Sequence, residues 1–303
     1  MTVVARIQGL EKNFGAEPVL RGLDLDVPRG ACVAVLGPNG AGKTTTLRVL
    51  LGQSPYTRGT VEVFGLAMPD HARRVRARIG VVPQADNLDP DFTVAENLLV
   101  YGRYFGLGDA ALRTRVPELL AFADLSTRAA ARIGTLSGGM KRRLIIARAL
   151  INDPELIILD EPTTALDPQA RHLVWSRLHR LREQGKTLIL TTHYMEEAER
   201  LADRIVIVDH GRVLDHGIRG ELIRRHVEPE VIEVRGRSAE ARALLAPLDG
   251  TRLETVGETL YAYTRAARPL LDRLEARPDL TYLHRPANLE DVFLQLTGRE
   301  LRD

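Results

Sequence analysis

One cysteine and one tryptophan stand in 303 residues, and aromatic side chains make up only 5% of the chain. The lone Cys32 lies in the apolar run ACVAVL and has no partner for an internal disulfide, which fits a reducing compartment and a buried thiol. Neither sign of charge dominates: 42 basic residues face 40 acidic ones, for a net charge of +2. Bulk charge therefore implies no polyanionic partner, and no nucleic acid is expected. No uncharged apolar run approaches the roughly 18 residues of a membrane span, and the apolar stretch in MTVVARIQGLEK is too short for a signal peptide. The chain is expected neither to cross a membrane nor to enter a secretory route by itself.

What is present is an ordinary globular balance, 44% hydrophobic and 27% charged, in a length that suits one domain plus a smaller one. Alternation at Leu23–Val27 and Thr60–Phe64 reads as half-buried antiparallel strands near an edge. The continuous runs at 31–36, 155–160, 187–192 and 204–209 read as parallel strands buried on both faces, with helical patterns between them. The fold class is α/β over residues 1–227. From 228 to 303 the pattern becomes β-α-β-β-α-β with a closing amphipathic helix, the order of a small ferredoxin-like α+β domain.

Between the run ACVAVL and a helical run stands GPNGAGKTT, from Gly37, Pro38, Asn39, Gly40, Ala41, Gly42 and Lys43 to Thr44 and Thr45. This is GxxxxGK[ST] in its required setting, strand before and helix after. Its glycines let successive N–H groups converge on an anion, and the helix adds its positive N-terminal end. Lys43 is placed to reach the β- and γ-phosphates of a nucleotide, and the Thr44 hydroxyl to take one Mg²⁺ position. An apolar strand ending in Asp160 and Glu161 brings two acids to the same carboxyl edge. Taken alone, that pair marks a solvated strand end; beside a phosphate loop, Asp160 is expected to act on Mg²⁺ and Glu161 to polarise an attacking water. Gln84 follows the strand IGVVP with an amide able to touch metal or water. Ser137, Gly138 and Gly139 open a second helix with a bare, phosphate-suited end. Two such ends crowd a single γ-phosphate, so the economical arrangement is a dimer in which each chain's second end closes the other's site. His193, after TLILTT, then meets the γ-phosphate.

These residues resemble the ATPase subunit of an ABC transporter. The phosphate loop matches GPNGAGKT, the glutamine loop Gln84, the signature LSGGM, the second acidic motif LIILDE, the D-loop Ala165-Leu166-Asp167 and the switch histidine His193. Order and spacing agree through about residue 220. The resemblance implies that ATP and Mg²⁺ are the cofactors, that Asp167 contributes to the nucleotide site, and that the aromatic stacking on adenine is Phe14, where the family more often has tyrosine. It further implies an ATP-dependent homodimer, a helical subdomain at about 85–150 and a separate membrane permease received there. The stretches IGVVPQADNLDPDFTVAENLLVYGRYFG and TTHYMEEAERLADR are similar to the nodulation-factor export branch, which implies export of a lipo-oligosaccharide from a peripheral position on the cytoplasmic face of the inner membrane. A soluble ATP-switched clamp, as in cofactor assembly, is the competing class. The short helical insert argues against a DNA-maintenance clamp and the single phosphate loop against a translation factor.

Two features carry simpler expectations. Val94, Leu98, Tyr101 and Phe105 share one helical face and read as core, leaving Phe92 and Tyr104 as candidates for a groove that takes a partner's helix. Arg73, Arg74, Arg76 and Arg78 read as a solvated helix face. The C-terminal domain, which has no phosphate loop or acid pair, is expected to regulate or to support the dimer.

Overall fold

The computed structural model describes residues 2–298. They form two compact units that divide between His216 and Gly217. The first opens with an antiparallel hairpin of β1 (Val3–Phe14) and β2 (Glu17–Pro28). It continues through β3 (Cys32–Leu36), α1 (Lys43–Leu50), β4 (Arg58–Val63), β5 (Leu66–Ala67), α2 (Ala72–Arg76) and β6 (Ile79–Val82). A helical stretch follows, α3 (Val94–Tyr104), α4 (Asp109–Phe122) and α5 (Gly138–Ala149). The unit closes with β7 (Leu156–Asp160), α6 (Pro168–Glu183), β8 (Thr187–Thr192), α7 (Met195–Leu201), β9 (Arg204–Asp209) and β10 (Arg212–Gly217).

The four continuous apolar runs all enter one six-stranded sheet, ordered β10-β9-β3-β8-β7-β6. From β9 to β6 its neighbours pair in parallel, and every residue of β3 and β8 is buried, as strands covered on both faces require. Parallel strands end on a common edge. The loops after β3, β6, β7 and β8, which carry Gly37–Gly42, Gln84, Glu161 and His193, therefore emerge together. The alternating strands form a separate antiparallel sheet, β2-β1-β4-β5. Its apolar face, including Ile7, Leu10, Leu23 and Val61, shares a core with Leu47 and Leu50 of α1 and with Val33, Val35 and Ile158 of the parallel sheet. That packing fixes the helix that follows the phosphate loop.

The second unit contains α8 (Arg219–His226), β11 (Glu230–Arg235), α9 (Ser238–Leu245), β12 (Thr251–Val256), β13 (Thr259–Thr264), α10 (Arg268–Glu275), β14 (Thr281–Pro286) and α11 (Leu289–Thr297). Its antiparallel sheet runs β12-β13-β11-β14, the ferredoxin-like order, with α9 and α10 on the face of Ile232, Val234, Leu260 and Ala262. The compact unit begins at Gly217 rather than at 228, because α8 packs against α11 through the fully buried Leu222. The charged run around Leu222 hides that contact from a reading by apolar period.

Two expectations about side-chain burial shift. Val94 and Leu98 are fully buried, but Tyr101 and Phe105 are only half-buried, their rings 5.5 Å apart edge to face. Arg73 and Arg74 are exposed as expected, whereas Arg76 donates to the Leu51 carbonyl and Arg78 pairs with Glu155 at 2.7 Å over the Phe64 ring.

Candidate active site

The loop between β3 and α1 owes its glycines to two different constraints. A Cβ on Gly37 would lie 2.2 Å from the Val208 carbonyl oxygen, so that position is set by the neighbouring strand. Gly42 caps α1 at φ 98, a left-handed conformation that a side chain would strain. Lys43, only 5% exposed, donates from Nζ to the carbonyls of Gly37 at 2.7 Å and Pro38 at 3.0 Å, and lies 3.4 Å from Glu161 Oε1. Burial lowers its pKa, with Glu161 opposing that shift. Phe14, Asn39–Thr45, Gln84 and Glu161 line one cleft of about 400 Å³. Phe14 is half exposed there with Lys12 Nζ 4.7 Å over its ring, so its other face is available for a flat base.

Thr44 Oγ1 and Thr191 Oγ1 both donate to Asp160 Oδ1, at 3.1 and 2.6 Å. An adjoining cavity is lined by Thr44, Gln84 and Asp160, the oxygen-bearing set expected around a hard cation. Among the described residues there is no cluster of three or more His, Cys, Asp or Glu that could hold a metal by itself. A cation at this place thus fits one held partly by phosphate oxygens, as Mg²⁺ commonly is.

Glu161 sits just past β7 with φ 44, in the left-handed region, and is 6% exposed. Its Oε2 accepts from Gln84 Nε2 at 3.1 Å and Thr164 Oγ1 at 3.0 Å, and lies 3.4 Å from His193 Nδ1. That buried nitrogen faces the carboxylate oxygen. His193 foremost, and Lys43 behind it, bring the Glu161 carboxyl down to about 2 against burial, which pushes it up. A depressed carboxyl stabilises the fold above its ordinary value of 4.5, and that stabilisation is lost as pH falls toward about 2. The melting-temperature advantage of wild type over Glu161→Gln should therefore narrow across this acid window in thermal unfolding; a constant difference would contradict the depressed value.

The remaining sequence-predicted residues lie apart from this cleft. Ser137 caps α5 by accepting from Met140 N, and Ser137 and Gly138 are exposed outside the cleft lining. Gly139 packs on α6, where a Cβ would come within 2.8 Å of Ala170. Asp167, also exposed, caps α6 by accepting from Ala170 N at 2.9 Å. One chain thus brings together Lys43, Thr44, Gln84, Asp160, Glu161 and His193 but not the signature residues.

The sequence reading missed Arg142 and Glu197. Arg142 is 7% exposed and donates to four backbone carbonyls, while Glu197 is fully buried and accepts from Thr163 Oγ1 and Trp175 Nε1. Neither stands out in the sequence, where Arg142 lies between Lys141 and Arg143 and Glu197 lies beside Glu196 in a charged helix.

Residues 20–164 match the ABC transporter family, and residues 238–298 match the C-terminal domain of the nodulation factor export protein NodI. A Nod factor export ATP-binding protein I of Ralstonia nicotianae is 55% identical over 100% of this chain and 96% of its own length. That of Paraburkholderia xenovorans is 56% identical over 97% of each. The chain belongs to the Nod factor export branch of the ABC ATPases. Among solved structures, this ABC ATPase is similar to an ATP-binding subunit of an ABC transporter, with TM-score 0.67 and 32% identity over 73% of this chain and 92% of that one. It is also similar to a dimeric post-hydrolysis ATP-binding cassette bound to ADP and Pi, with TM-score 0.64 and 30% identity over 71% and 98%. It is an ATP-hydrolysing subunit that powers a transporter, which decides against the soluble clamp. No helix among the described residues is long and apolar enough to cross a membrane.

Proposed function

We propose that this ATPase closes as a homodimer over two ATP molecules and drives a separate permease that exports a lipo-oligosaccharide or related amphiphile. The observation that carries the dimer is the exposure of the Ser137 helix end outside its own chain's cleft. An exposed helix end opened by Ser137 and Gly138 suits the γ-phosphate held by another copy, and a two-fold pair makes both sites alike. Asp167, beside it in the exposed loop before α6, joins the same shared site. The lipo-oligosaccharide cargo is carried from the name of the relatives, Nod factor export ATP-binding protein I.

In each site the glycine loop and Lys43 hold the β- and γ-phosphates, Phe14 stacks on the base, and Thr44, Asp160 and Gln84 would hold Mg²⁺. The cation would neutralise phosphate charge during transfer to water. Lys43 drawn onto phosphate and His193 drawn to the γ-phosphate both leave Glu161, and loss of these neighbours raises the carboxyl from its depressed value. His193 reaches the γ-phosphate from the far side of Glu161. Loss of the γ-phosphate removes what favours the closed dimer, and the permease converts closing and opening into alternating access.

The permease meets the chain from the cytoplasmic face of the inner membrane. A groove of about 280 Å³ is lined by Tyr101, Phe105, Asn87, Pro83, Gln53 and Arg76, and suits the end of an amphipathic helix. Its floor is firm because Arg148 donates to the Asn87 carbonyl at 2.9 Å and lies 4.7 Å over the Tyr101 ring. Tyr104, 81% exposed, stands at the same helix end, while Phe92 is half-buried. Replacing both Tyr101 and Phe105 with Ala should leave ATP affinity within about twofold and cut membrane recovery with coexpressed permease by roughly tenfold or more. Unchanged recovery would remove the groove from the reading. The function itself is tested by measuring membrane association and ATP turnover with and without permease and an amphiphilic oligosaccharide. A chain that ignores every permease contradicts it.

A further inference from the structure

Arg142 lies on α5, the helix that Ser137 caps, yet its guanidinium is spent entirely on the hydrolytic side of its own chain. Nε donates to the Pro162 carbonyl at 2.6 Å, and Nη2 to the carbonyls of Asp160 and Glu161, both at 3.1 Å. Nη1 donates to the carbonyl of Pro83, the residue before Gln84. One planar group therefore spans the exits of β6 and β7. These carbonyls need donors where the sheet ladder ends, and a fork of fixed geometry meets two strand ends at once where a point-like ammonium cannot.

The opposite side of the same loop is held by α7. Glu197 accepts from Thr163 Oγ1 at 2.8 Å and from Trp175 Nε1 at 3.0 Å, four residues beyond His193. Glu161, between these two clamps, keeps a left-handed backbone that a glutamate adopts only when its surroundings over-determine it. Burial pulls the Arg142 pKa down to about 10, with Glu197 the leading opposing charge, so the guanidinium stays charged near neutrality.

We propose that Arg142 is a positioning residue that couples the Ser137 helix end to the hydrolytic apparatus of its own chain. When Ser137 seats on a partner's ATP, displacement of α5 is passed by the guanidinium to the backbones of Gln84 and Glu161, and each site is set for hydrolysis by the other's occupancy. The inference rests on the shared-site dimer proposed above.

Arg142→Lys is the informative variant, since it keeps the charge that faces Glu197 and most of the buried stem but cannot span both strand ends. Its kcat should fall at least tenfold while KM and the ATP Kd stay within about threefold. In a Glu161→Gln background it should still form the ATP-dependent dimer, because closure precedes the step it serves. A kcat within about threefold of wild type overturns the proposal, as does a parallel loss of ATP binding and turnover. If Arg142→Lys does not fold, Arg142→Gln is measured in its place, and failure of both to fold also overturns it by making the residue a structural one. Ser137→Arg is run in the same assay. ATP-driven dimerisation in that variant would refute the shared-site reading itself, an outcome distinct from any result at Arg142.

Discussion

Glu161→Gln should bind ATP and Mg²⁺ as wild type does while its hydrolysis falls by something on the order of 10² to 10⁴. The amide keeps the shape of the carboxylate, and its oxygen can still accept from Gln84 and Thr164, which lie 3.1 and 3.0 Å from Oε2. What disappears is the base and the anion 3.4 Å from Lys43. Lys43 then loses its nearest acidic competitor for phosphate, so affinity should hold or rise. With closure intact and hydrolysis removed, ATP should trap a dimer that light scattering after size exclusion resolves from the monomer. Turnover within about threefold of wild type would mean that some other group activates the water.

The second large effect is a complementation between two dead proteins. Lys43→Ala removes the cation placed for the β- and γ-phosphates, a charge-assisted contact worth about 1.5–3 kcal/mol, and takes from Glu161 the ammonium 3.4 Å away. Ser137→Arg keeps the nucleotide cleft, which Ser137 does not line, and puts a bulky cation on the helix end offered to the other chain. Each protein alone should be nearly inactive, the first for want of nucleotide and the second for want of a dimer. Mixed in equal amounts, half of the dimers are hybrids with one intact site in two, so some turnover should return, at most about a quarter of wild type and less where each site waits on the other's occupancy. No recovery under conditions where hybrids form would count against a site shared between chains.

The candidate site was legible to the extent that its chemistry is local in sequence. GPNGAGKTT, LIILDE and LSGGM each hold their function in consecutive residues, because a phosphate nest and a helix cap are built from neighbouring N–H groups. His193 and Gln84 are single residues, and what marked them was position after a strand. The structure adds that both face Glu161 Oε2, at 3.4 and 3.1 Å. Convergence of that kind follows from a strand order, β3-β8-β7-β6, that no local pattern encodes.

By itself the sequence determined the two-part α/β and ferredoxin-like organisation, the four buried parallel strands and the phosphate loop, since hydrophobic period and turn chemistry are properties of short segments. The tertiary structure alone decided what lies across from those segments. Val94, Leu98, Tyr101 and Phe105 carry one helical period, yet the first two fill the core and the last two open into a groove, because period names a face and not its neighbour. The start of the second unit at Gly217 depends on Leu222 meeting α11 from far along the chain. Arg142 was invisible for the most general reason: its partners are backbone carbonyls, which every residue carries and no sequence distinguishes.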